Sequence, residues 1–114
     1  MTLVARKTDS CTTGHSCDTT TTLNVSQGTV YAEGLLIARK GDPTVSHDIP
    51  TRIQTGTDED GNPTYSIVCL PHTGSVATAN STVYAENALV TRIDETVNCS
   101  GGKITSSAST VHAE

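Results

Sequence analysis

"GTVYAEGLLIARKGD", residues 28–42, and "STVYAENALVTRIDE", residues 81–95, are one phrase written twice, 53 positions apart. Each opens on a Thr/Val-rich run, crosses Glu-Gly or Glu-Asn, and resumes with an apolar run. Strand-forming residues on both sides of a tight-turn sequence predict a hairpin. Alternation along TVYAE (29–33) sets Val30 and Ala32 on one face and Thr29, Tyr31 and Glu33 on the other.

Both halves of the phrase occur a third time, but apart. The apolar half appears as LVARKTD (3–9), LIARKGD (36–42) and LVTRIDE (89–95), and the Thr/Val half as TVYAE (29–33), TVYAE (82–86) and TVHAE (110–114). The chain therefore starts on an unpartnered second half and ends on an unpartnered first half. Pairing the two ends supplies a third hairpin and predicts a closed all-β body with pseudo-threefold symmetry. Closure removes the open sheet edges that short strands would otherwise expose. Apolar spacing of the helical kind is absent, since Gly, Pro, Asn, Ser and Thr interrupt every window. A single domain over 1–114 is expected, with a hairpin inserted at about 51–68 around Asp60-Gly61.

Composition narrows the function. Of 114 residues only 34% are apolar, with no Phe and no Trp, so a large aromatic core is excluded. A body this poor in core residues needs closure, a partner or a metal. Net charge is −5 with Lys and Arg dispersed, which argues against nucleic-acid binding. No run reaches membrane-span length and the start, MTLVARKTDS, lacks a signal-peptide core, so synthesis in the cytoplasm is expected.

The connections between repeats carry the chemistry: CTTGHSC (11–17), PTVSH (43–47), CLPHTG (69–74) and NCSGG (98–102). In a threefold arrangement they share one end of the body, where His15, His47, His72 and Cys99 converge. Three imidazoles and a thiolate suit tetrahedral zinc, with iron as the alternative. For Cys11 and Cys17 a disulfide stands as one option, Cys17 as a ligand in place of His15 as another, and Cys69 competes with His72. Small buried packing residues are the plainer reading of these three thiols. His112 stands where the other copies have Tyr31 and Tyr84, and is read as a strand-face residue outside the site. Asp9, Asp42 and Asp94 follow Arg6, Arg39 and Arg92, a recurrence read as structural ion pairs rather than a catalytic trio. DEDGNP (58–63) lacks the ligand spacing and distal Glu of a calcium loop and reads as a polar turn. No nucleophile elbow, phosphate loop or dinucleotide fingerprint is present, and no catalytic residue is assigned.

Taken in order, the strand phrase, ARKGDPTVSH (38–47), CLPHTG and NCSGG resemble the PAAR-repeat family over nearly the whole chain outside 51–68. The resemblance implies a small β-structured cone that caps the homotrimeric β-helical spike of a contractile machine. It also implies one zinc near the point, held by three histidines and one cysteine; the matching positions are His15, His47, His72 and Cys99. RIDETVNC (92–99) stands where a Gly-Asp would be usual, and DIPTR (48–52) replaces a Gly-rich stretch. The implied role is a phage tail baseplate tip in the virion, monomeric on its own, one copy per spike trimer, in transient contact with the host envelope. Such a tip is expected to be small, rigid and free of flexible appendages. Its base is expected at Leu35, Leu36, Ala88 and Leu89, which flank the hairpin turns. The alternatives are a type VI secretion tip that carries an effector noncovalently, since the chain ends after TVHAE, and a free-standing zinc enzyme. The enzyme needs an open coordination position and a general base.

Overall fold

The computed structural model describes residues 2–114. Its regular elements are all strands: β1 (Thr2–Leu3), β2 (Ser10–Thr12), β3 (Thr20–Thr22), β4 (Tyr31–Ala32), β5 (Leu35–Leu36), β6 (His47–Thr57), β7 (Pro63–His72), β8 (Tyr84–Ala85), β9 (Ala88–Leu89) and β10 (His112–Ala113). They pair antiparallel as β1–β10, β2–β3, β4–β5, β6–β7 and β8–β9.

The repeated phrase forms β4–β5 and β8–β9. Their turns, Glu33-Gly34 and Glu86-Asn87, have positive φ at all four residues. That is the geometry a two-residue hairpin loop requires, and Gly and Asn adopt it at low steric cost. The termini supply the third copy: Thr2 lies opposite Ala113, and Leu3 opposite His112.

The three copies then close on one another. Ala38 N–H donates to Ala5 O (2.9 Å), Thr91 N–H to Ala38 O (3.1 Å), and Ala5 N–H to Thr91 O (3.1 Å). These residues hold the same place in each repeat, so the bonds form a cycle without a free end. Bridges Arg6–Ile37, Arg39–Val90 and Arg92–Val4 follow the same cycle. A second cycle joins the connections through Leu23–Thr44, Val76–Val97 and Ile104–Cys11.

Burial recurs in threes as well. Val4, Ile37 and Val90 pack with Ala32, Ala85 and Ala113 in one cluster. Leu23, Val76 and Ile104 pack with Cys11 and Val97 in the other. Cys11 thus holds a core place equivalent to Thr44 and Val97, and burial pushes its thiol up to about 11, with the nearby Cys99 adding to the rise. Such a thiol behaves as a small hydrophobe.

The recurrent ion pairs are structural. Arg6 meets Asp9 at 3.1 Å, Arg39 meets Asp42 at 3.5 Å and Arg92 meets Glu95 at 3.5 Å, each acid being nearly buried. The third partner is therefore Glu95 and not Asp94, which corrects the sequence reading. Asp94 takes the positive-φ place (69°) that Thr8 and Gly41 take in the other copies. It directly precedes the arginine's carboxylate partner.

One feature breaks the threefold pattern. β6 and β7 pair from His47–His72 out to Thr57–Pro63. At about 3.3 Å per residue this arm is roughly 35 Å long. It draws the molecule out to 62 × 22 × 21 Å. It runs four residues further at each end than the hairpin insertion expected at about 51–68, because the pairing continues to His47 and His72, so the arm grows directly from two candidate ligands. Ile53, Tyr65, Ile67 and Leu70 lie exposed along it, and the Arg52 guanidinium sits 3.6 Å from the Tyr65 ring centre.

Candidate metal centre

His15, His47, His72 and Cys99 come from three different connections, and their donor atoms all lie within 4.8 Å of one another. His47 and His72 are the root pair of the β6–β7 arm. His15 rides on the Gly14–Asp18 turn between β2 and β3, and Cys99 on the turn between Thr96 and Lys103. Two loops must approach closely for this. At Gly14, where φ is 77°, a Cβ would run into the Ser100 carbonyl oxygen. Only glycine lets the His15 turn reach the Cys99 turn.

The donors converge through the same ring atom of each histidine. Cys99 Sγ lies 3.0 Å from His15 Nε2, 3.1 Å from His47 Nε2 and 3.3 Å from His72 Nε2. His15 Nε2 and His72 Nε2 are 3.2 Å apart. A tetrahedral zinc with Zn–N near 2.0 Å and Zn–S near 2.3 Å sets its ligand atoms about 3.3–3.6 Å apart. The donor separations bracket those of such an ion, and the close pairs need only small outward adjustments.

The outer contacts prepare the ligands. His15 Nδ1 lies 2.8 Å from the Ser16 carbonyl oxygen, and His47 Nδ1 2.9 Å from that of Val45. The tautomer that satisfies both carbonyls carries the proton on Nδ1 and leaves the Nε2 lone pair facing the shared point. Burial, and then the neighbouring His47 and His15, lower the His72 pKa, which favours the neutral imidazole. Burial raises the Cys99 thiol. Three imidazole lone pairs and a thiol sulfur converging this closely make no favourable set of their own. A divalent cation supplies the charge that four converging donors lack, and it deprotonates a coordinating thiol. The buried His3Cys group can thus hold a metal ion, His47 being 6% and Cys99 3% exposed.

Of the three remaining thiols, Cys11 is the small buried packing residue that the sequence offered, while Cys17 and Cys69 depart from the sequence options. Cys17 is bonded to Cys69. Cys11 is free and buried, so a Cys11–Cys17 bridge is not formed, and neither Cys17 nor Cys69 is available as a ligand. Sequence reasoning also had no signal for the Ser16 and Val45 carbonyls, which are backbone atoms. His112 lies exposed on β10, away from the cluster.

At the hairpin turns, Leu35, Leu36, Ala88 and Leu89 are all half-buried, and Leu36 packs against the core. The apolar surface on these hairpins is more exposed elsewhere: Tyr31 at 58%, Tyr84 at 66%, and Val83. No protein-family model matches the chain, and a search of curated proteins finds no match either.

Proposed function

We propose that this chain is the tip protein of a contractile injection machine, a phage tail baseplate, seated as one copy on a homotrimeric β-helical spike. The observation that carries the reading is the cycle of equivalent bonds through Ala5, Ala38 and Thr91. One chain that repeats a surface three times around an axis can meet a true trimer without leaving two of its three faces unmatched. Such a chain is a conical PAAR-like cap, monomeric until seated, made in the host cytoplasm and carried in the virion. The hairpins form the base, with Leu35 and Ala88 beside the turns and Tyr31, Tyr84 and His112 on the equivalent outward places. The metal centre, zinc by its donor set, ties the converging connections at the other end, where little apolar material is available. The β6–β7 arm then leads into the envelope.

The role is mechanical, not enzymatic: four protein ligands complete a tetrahedral ion and leave no position for a substrate. The exposed Ile53, Ile67 and Leu70 of the arm favour one second reading, a type VI secretion tip that carries a cargo noncovalently. Native mass spectrometry with the spike protein of the same particle tests the assignment. One chain to three spike chains is expected. Leu35→Glu should abolish that complex while metal content is kept. A three-to-three complex, or one that survives Leu35→Glu and is lost on ligand substitution, contradicts the proposed orientation.

A further inference from the structure

The four cysteines divide by exposure. Cys11 and Cys99 are buried, whereas Cys17 and Cys69, which form the disulfide, are both exposed. The bond stands beside the metal cluster on both of its sides. Cys17 follows His15 by two residues, and Cys69 precedes His72 by three.

The tethers of the His15 turn show what the bond does there. On the β6 side, Asp18 N–H donates to Asp48 O (3.2 Å), and Asp48 N–H to the Asp18 carboxylate (2.7 Å). These are polar contacts at exposed or half-exposed residues. On the β7 side the tether is the Cys17–Cys69 bond. His15 is thereby held against His47 and His72 by one covalent link and a small set of hydrogen bonds.

We infer that the Cys17–Cys69 disulfide is a redox-operated clasp on the metal centre, closed and metal-retaining when oxidised, open and metal-releasing when reduced. The inference rests on the metal-holding reading of the His3Cys group. An external thiolate can reach either exposed sulfur. It forms a mixed disulfide as the Cys17–Cys69 bond breaks and the second sulfur leaves as thiolate. A second external thiol resolves the mixed disulfide. The protein gains two electrons and two protons, and the external thiols become a disulfide. Cys99 takes no part, being buried. With the β7 tether gone, His15 can swing away from the cluster. Disulfides persist in oxidising surroundings and are kept open in the cytoplasm. A reduced chain would exchange its ion until it met a small-molecule disulfide in oxidising surroundings: one protein thiolate attacks that disulfide and releases a thiol, the second protein thiolate displaces the other thiol, and the clasp closes as the external disulfide takes up the two electrons and two protons.

The test is metal transfer from the loaded protein to a chromophoric chelator, with and without a phosphine reductant, which takes up oxygen from water as the bond is cleaved. Cleavage is verified by intact mass. Reduction should speed release about tenfold or more, the scale on which lost orienting contacts weaken a metal site. The Cys17→Ser/Cys69→Ser variant should release fast in both conditions. Equal rates for oxidised and fully reduced protein overturn the clasp, as does a reductant effect that persists in the double variant. The metal content of the oxidised protein is read first. If it takes up no ion, the metal centre itself fails and the clasp fails with it, which separates the two failures.

Discussion

Deleting residues 110–114 removes β10 and opens the cycle at its terminal seam. The loss can be worked from the contacts. Ala113 is buried and Val111 half-buried, and at roughly 0.8 kcal/mol per buried methylene-sized group they contribute about 2–3 kcal/mol. Val4 N–H loses Val111 O (3.0 Å), and Thr82 Oγ1–H loses Glu114 O (2.8 Å). Glu33 loses the Thr110 N–H (2.8 Å) and the Thr110 hydroxyl. At about 1 kcal/mol each, the first two bonds add a further 2 kcal/mol or so. The combined loss, about 4–5 kcal/mol, approaches the roughly 5–15 kcal/mol that holds an ordinary domain together. At about 4–8 °C per kcal/mol in a domain of this size, the midpoint of thermal unfolding should fall by about 20 °C or the protein should not fold. Circular dichroism melts and size-exclusion chromatography read both outcomes; exposed β1 should also promote aggregation. His112→Ala is the control. Its side chain is exposed on the same strand, and it should change stability by less than about 0.5 kcal/mol. A soluble truncation melting within about 2 °C of the full chain would refute the closure argument.

Further outcomes follow from single side chains. Gly14→Ala should reduce both stability and metal uptake, by about 1–3 kcal/mol from backbone strain alone, because the new Cβ meets the Ser100 carbonyl; unchanged metal content would refute the close approach of the two loops. The Glu33 carboxyl is held down to about 2 from its ordinary 4.5, first by the Thr110 hydroxyl and then by the Ser109 N–H. A depressed carboxylate contributes stability above its unfolded pKa and loses it as pH falls towards the folded one. The wild-type melting temperature should therefore drop between about pH 5 and pH 2 more than that of Glu33→Gln, and parallel curves would remove Glu33 from the seam.

The sequence showed the repeats clearly because their chemistry is local. Val and Ala alternate with Thr, Tyr and Glu on short strands, and Glu-Gly or Glu-Asn marks each turn. That the termini pair was also legible, since each end carried half of a phrase already seen whole. The Arg–acid recurrence was legible except in the third copy, where Asp94 is adjacent to the true partner, Glu95. Two neighbouring acids differ only in backbone geometry, and composition does not show which one turns towards the arginine. The Cys17–Cys69 bond lay out of reach for a different reason. Disulfide connectivity depends on which loops meet in space, and four cysteines admit several pairings. The β6–β7 arm was legible as a hairpin around Asp60-Gly61, but its root lies beyond the expected 51–68 and contains Pro50 and Pro71. They pair at the hairpin's ends all the same, within a two-stranded sheet where both strands are edges. Exposure of Tyr31 and Tyr84 was implied by the alternation, which sets them on the face opposite Val30 and Val83.

The most direct test of the account is the metal content of the purified, chelator-free protein, read by X-ray fluorescence and repeated for Cys99→Ala. The account predicts one equivalent of a transition metal, zinc by its donor set, in the wild-type chain and a large loss of it in the variant. Folded wild-type protein with less than about a tenth of an equivalent would contradict it, because four converging donors would then be packing against one another without the cation that their arrangement calls for.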